Sequence, residues 1–137
     1  MNQKSEFYTL NGYRNKNKNK LTESMEDYLE MIYRNKDNIH VKDIAIKLNV
    51  KPSSVSKMIS KLKKYNLVDS LKYGSITLTS EGEEIGAYLL WRHNTLVEFF
   101  KKINKKNYLL EQVEKIEHFI DFETLKNMEK FINHLHE

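Results

Sequence analysis

The chain has no cysteine, one proline and four glycines among its 137 residues. The absence of cysteine excludes disulfides, thiolate metal sites and thiol nucleophiles. So few glycines leave no glycine-rich loop to cradle a phosphate. No segment approaches the roughly 18 consecutive apolar residues of a membrane span, and the polar N-terminus has no apolar signal core. No nucleophile triad is visible either. A reducing cytoplasm fits these absences, no membrane partner is expected, and nothing here marks an enzyme or a small-molecule substrate.

The charge that is present is unevenly placed. The net charge is +4, yet residues 1–80 sum to +7 and residues 81–137 to −3. A basic first part suits an anionic partner, and an acidic second part suits something else. Residues 1–20, rich in Asn and Lys without an apolar period, read as a flexible basic arm. Lysines there suffice for a contact with a DNA backbone.

Residues 21–80 read as a winged helix-turn-helix DNA-binding domain. A first helix over about 23–35 carries Met25, Leu29, Ile32 and Tyr33 at helical spacing, with Thr22 or Ser24 as its N-cap. A turn over 35–38 precedes a short helix over 41–48, which Asn49 ends. Pro52 suits the first turn of the next helix, which runs from Ser53 to about Tyr65. Val55, Met58, Ile59 and Leu62 form its apolar stripe. Two short β-prone runs, 67–72 and 76–79, flank the turn Tyr73-Gly74-Ser75 as a hairpin.

From Ser80 the pattern is all-α, with Ser80 and Glu83 as a capping box. Three helices are expected: one to about Ile103, one from about Leu109 to Ile120 with Leu110, Val113 and Ile116 as core, and one over about 123–135. Phe99, Phe119, Phe122 and Phe131 suit either a helical homodimer interface or the subunit's own core. Residues 81–137 are thus expected to form a helical metal-binding and dimerisation domain. The fold class is mainly α.

The helix after Pro52 has the composition of a DNA reader. Its polar side carries Ser53, Ser54 and Lys57 toward base edges, with Lys51, Lys61 and Lys64 toward phosphates. No acidic residue lies between Lys51 and Lys64. Lys72 and Tyr73 stand at the tip of the wing. Serines read little sequence, so no target follows from them. The bland alternative is a solvated polar face on a core helix.

Six residues in three segments could hold a metal: Asp27, Glu30, His93, Glu114, Glu117 and His118. Glu114, Glu117 and His118 fall at i, i+3 and i+4, which one helix would place on one face. Taken singly, each is an ordinary surface carboxylate or a satisfied histidine. As a set of carboxylates and imidazoles without sulfur, they suit Mn²⁺ or Fe²⁺, and four carboxylates could bridge two ions.

The runs Thr22-Glu-Ser-Met-Glu-Asp27-Tyr-Leu-Glu30-Met-Ile-Tyr33, Pro52-Ser-Ser-Val-Ser-Lys-Met58, Leu78-Thr-Ser-Glu-Gly82, Arg92-His93 and Val113-Glu114-Lys-Ile-Glu117-His118 together resemble the diphtheria-toxin-repressor family. Within it they are most similar to the manganese transport regulators. The resemblance covers about Leu21 to Phe122. It implies a homodimeric winged-helix repressor of metal-ion uptake genes, binding double-stranded DNA at a palindromic operator. It further implies that the six residues ligate two ions per subunit. Asp27 and His93 would belong to one ion and His118 to the other, with Glu30 and Glu117 shared. Iron-responsive relatives carry methionine and cysteine at the positions of Asp27 and Glu114, so the carboxylates here imply the manganese branch.

Two rivals stand beside this reading. One is a winged-helix regulator answering to Fe²⁺, Zn²⁺ or a small organic effector. The other is a helical di-iron carboxylate enzyme, which would need Glu-x-x-His on two helices; the chain has no such motif.

Overall fold

A computed structural model describes residues 21–36, 39–70, 72–105 and 110–135. The basic arm, the end of the turn at 37–38 and Leu109 lie outside these residues. Helix α1 (Glu23–Arg34) starts at Thr22, whose side chain accepts from the Met25 N–H at 3.2 Å. Acidic Glu23 and Glu26 occupy its first turn and Arg34 its last, complementing the helix dipole. Its buried residues are Met25, Tyr28, Leu29 and Ile32, so Tyr28 takes the core place expected of Tyr33.

A short strand follows, β1 (Ile39–His40), then α2 (Val41–Leu48) and α3 (Pro52–Lys64). Asn49 ends α2 in the left-handed conformation with φ 55°, which asparagine tolerates better than most residues. Val55, Ile59 and Leu62 of α3 are buried, and Met58 packs half-buried beside them. Next come β2 (Val68–Ser70), a 3-10 turn (Lys72–Gly74) and β3 (Ser75–Leu78). The sheet is antiparallel in the order β1-β3-β2, with Ile39 opposite Ile76 and Val68 opposite Leu78. Strand β1 was not expected from sequence, because two residues carry no alternation and need β3 to become a strand.

Helix α4 (Ser80–Asn104) is 25 residues long. Its N-cap is Thr79, whose hydroxyl accepts from the Gly82 N–H at 3.0 Å. Ser80 is therefore the first helical residue, and the expected Ser80–Glu83 box is not formed. Two further helices, α5 (Leu110–Ile116) and α6 (Phe122–His134), are separated by a 3-10 turn at Glu117–Phe119. The single helix expected to run to Ile120 thus changes to 3-10 winding after Ile116 and ends at Phe119. Leu110 is exposed, so only Val113 of the expected core trio is fully buried.

The described residues form two cores. The first joins α1, α2, α3 and the sheet to Leu89 of α4. The second gathers Leu96 of α4, Val113 of α5 and Leu125 of α6. Helix α4 contributes to both and so holds the winged helix against the C-terminal helices. A second tie is Trp91, whose indole N–H donates to Glu129 of α6 at 2.7 Å. Among the described residues, no helix is long and apolar enough to cross a membrane.

Candidate metal centre

Asp27 and Glu30 lie three residues apart on α1, so they project along one side of that helix. His93 comes from α4, and Glu117 and His118 come from the 3-10 turn. Packing of α1 against α4 brings these five residues into two overlapping groups. In the first, ligand atoms of Glu30, His93 and Glu117 lie within 4.8 Å of one another; in the second, those of Asp27, Glu117 and His118 do. Glu117 belongs to both.

The first group is the deeper one. Glu117 is 2% exposed and its Oε2 lies 2.9 Å from the buried His93 Nδ1. Glu30 is half-buried and ion-paired to Arg34, one turn along α1. Burial pushes the Glu30 carboxyl above its ordinary range and the negative charge of Glu117 adds to this, against Arg34 and His93. Two carboxylates this close resist joint ionisation. A divalent cation would remove that conflict, so the donor set fits one.

In the second group, His118 Nε2 lies 3.1 Å from Asp27 Oδ1. The other ring nitrogen, Nδ1, lies 2.8 Å from Glu26 Oε1. Desolvation alone would lower the imidazole's pKa. The hydrogen bonds and negative charges of Asp27 and Glu26 outweigh it and raise the pKa from 6.5 to about 9. A proton here occupies the place a cation could take.

Two expectations fare differently from the rest. Asp27 groups with His118, not with His93. Glu114 is exposed on α5 and stands in neither group. Glu114 lies on α5, while Glu117 and His118 lie on the 3-10 turn that follows directly from it.

Glu26 and Arg92 were not anticipated as parts of the site. Arg92 is buried, and its NH1 and NH2 donate to Glu26 at 3.4 and 3.2 Å. A signal was available: Arg92 lies between Leu89 and Leu96 on the buried side of α4. A guanidinium in that position requires a carboxylate partner.

In the DNA-reading candidate, Lys51 is the N-cap of α3. Ser53, Ser54, Lys57, Lys61 and Lys64 are exposed along that helix. Tyr73, at the tip between β2 and β3, is 95% exposed with φ 65°. The Lys72 side chain lies outside the described residues. Lys63, which the sequence reading did not single out, donates to Ser70 of β2 at 2.9 Å.

Residues 20–76 match the family described as "Iron dependent repressor, N-terminal DNA binding domain". Residues 79–137 match "Iron dependent repressor, metal binding and dimerisation domain". The chain is 41% identical over 118 residues to the HTH-type transcriptional regulator MntR of Oceanobacillus iheyensis, covering 82% of this chain and 80% of that one. It is 38% identical over 120 residues to the regulator of the same name from Shouchella clausii, covering 85% and 84%. Among solved structures it is similar to the manganese regulator SloR, with a TM-score of 0.70 and 28% identity over 82% of this chain. The chain spans 55% of the SloR chain.

Proposed function

The chain belongs to the iron-dependent repressor family, and on that premise we propose that it is a Mn²⁺-responsive DNA-binding repressor of metal-ion uptake genes. The relatives named above are transcriptional regulators, and this is a regulator rather than an enzyme. It acts as a homodimer in the cytoplasm on a palindromic operator, each subunit presenting α3 and the wing to DNA.

The observation that carries this reading is Glu117, which belongs to both ligand groups and lies beside residues of α1 and α4. Asp27, Glu30, His93, Glu117 and His118 would hold two Mn²⁺ ions per subunit. Glu114, in neither group here, would supply a sixth ligand from the end of α5. When bound, the metal supplies positive charge that allows neighbouring carboxylates to stay ionised together. Asp27 and Glu30 belong to the DNA-reading half through α1, whereas Glu117 and His118 belong to the C-terminal half. Neutralising the repulsion between Glu30 and Glu117 would fix how one half sits on the other.

A palindrome requires one spacing of two reading helices. A head already held at that spacing saves an ordering cost on DNA binding. Coupling of about 1–3 kcal/mol is the usual scale.

The test selects duplexes from a randomised pool with Mn²⁺, then titrates binding with Mn²⁺, Fe²⁺ and Zn²⁺ for wild type and Glu117→Ala. The expected result is Mn²⁺-dependent affinity that the variant loses. Equal affinity in excess chelator would refute the coupling. Absence of stoichiometric Mn²⁺ binding would favour a regulator of an organic effector.

A further inference from the structure

We propose that Glu26, held by Arg92, sets the tautomer of the neutral His118 ring, keeping the N–H on Nδ1 so that Nε2, beside Asp27, is the nitrogen left to take an ion. The inference rests on the metal-site reading and adds a positioning residue to it.

A neutral imidazole carries one N–H, and a metal requires the other nitrogen to be free. His118 offers its two nitrogens to two carboxylates: Nδ1 lies 2.8 Å from Glu26 Oε1 and Nε2 lies 3.1 Å from Asp27 Oδ1. These carboxylates are not equivalent acceptors. The Glu26 side chain is 18% exposed and that of Asp27 is 52% exposed, so solvent screens the contact with Asp27 more strongly. Glu26 is also anchored, since Arg92 donates to both of its oxygens from a buried position. Asp27 has no comparable donor from Arg92.

One contact runs the other way. Arg92 NH2 lies 3.4 Å from His118 Nδ1 and could donate to that nitrogen if it were bare. This contact is 0.6 Å longer than the one to Glu26, and an anionic acceptor makes the stronger hydrogen bond. The N–H therefore stays on Nδ1. Glu26 accepts it from the side of the ring away from Asp27, so Glu26 itself is not placed among the ligand oxygens. Arg92 acts through Glu26, and its own Nε has no hydrogen-bond partner among the described residues.

The arrangement has the form of a carboxylate–histidine–metal relay, in which the outer carboxylate orients the ring and raises its basicity. Its parts come from three places: Glu26 from α1, Arg92 from α4 and His118 from the turn after α5. Docking of α1 on α4 thus orients the imidazole, so that the proton an ion displaces is the one on Nε2.

The decisive measurement uses metal-free full-length protein labelled with ¹⁵N-histidine, at about pH 10, where the imidazole is neutral,. Long-range ¹H–¹⁵N correlation reads the tautomer directly. Nδ1–H is expected in wild type and in Glu26→Gln, whose amide oxygen still accepts. In Glu26→Met, which keeps the length and removes the acceptor, the ring should revert to Nε2–H. Mn²⁺ affinity should fall about 10–100-fold in Glu26→Met and by less in Glu26→Gln. A wild-type ring carrying Nε2–H overturns the proposal, as does Glu26→Met binding Mn²⁺ as tightly as Glu26→Gln. The wild-type spectrum requires no variant to fold. If wild type carries Nδ1–H and binds no Mn²⁺, the metal reading fails while the tautomer assignment stands.

Discussion

Gly86 of α4 and Tyr33 of α1 meet so closely that a Cβ built on the glycine would lie 2.7 Å from the Tyr33 Cβ. This contact sets how near Asp27 and Glu30 come to His93, because all three ride on the same two helices. Gly86→Ala should therefore destabilise the protein by about 1–3 kcal/mol through overpacking. It should also weaken Mn²⁺ binding by moving α1 outward. Urea unfolding and metal titration check the two effects; a variant as stable as wild type would show that Tyr33 yields freely.

Glu117→Gln keeps a hydrogen-bonding side chain beside His93 and removes the shared negative charge. Mn²⁺-induced thermal stabilisation should vanish. In the metal-free variant the Glu30 carboxyl should titrate at lower pH than in wild type, since Glu117 is, after burial, the largest influence raising it. Carboxyl ¹³C NMR reads that change, and an unmoved Glu30 would disprove the coupling between the two acids.

If His118 ligates Mn²⁺ as proposed, binding displaces a proton held up to about pH 9. Below that point the proton competes, so apparent Mn²⁺ affinity should rise with pH, by about tenfold per unit from this group alone. The metal-free protein behaves oppositely. A histidine whose folded pKa is raised contributes stability that is fully present below its free value of 6.5 and is lost as pH rises toward about 9,. Calorimetric titrations between pH 6.5 and 8.5 test the first trend and thermal melts of the apoprotein the second.

Lys57→Ala, on the exposed side of α3, should weaken binding to the selected duplex. If Lys57 meets a phosphate, the slope of log affinity against log salt should fall by about 0.9. If it meets a base edge instead, preference at that base pair should relax with little change in slope. Unchanged affinity would remove Lys57 from the interface.

Phe131 is 50% exposed on α6 and lies 5.9 Å, centroid to centroid, from Phe99 of α4. Phe119 and Leu135 are exposed as well. An apolar surface of this kind suits a second copy of the chain. Phe131→Glu should shift the protein to monomer in sedimentation at micromolar concentration, and a persistent dimer would place the interface elsewhere.

Much of the fold was readable because periodicity is local. The stripe Val55, Ile59 and Leu62 declares α3 and its buried side without reference to the rest of the chain. Features set by distant partners were not readable. Strand β1 exists only through β3. Thr79 and Ser80 are adjacent hydroxyls, and which one caps α4 depends on where the chain leaves β3. At the site, residue types selected Asp27, Glu30, His93, Glu117 and His118, which the fold gathers. Glu114, chosen for its spacing from Glu117 and His118, stands in neither ligand group. Glu26 looked like another first-turn acid until Arg92, 66 positions away, supplied its counter-charge.

Helix α4 runs unbroken through both cores for 25 residues, a rod of about 37 Å at 1.5 Å per residue. A rod does not work as a hinge. Its glycines, Gly82 and Gly86, lie near its start, and it contains no proline at which to bend,. A tilt of α1 against its middle is therefore transmitted as leverage, small at the ligand atoms and larger at the far end. Under the proposed function, control of the reading head by such a rod would call for displacements of ångström size at the ligand atoms.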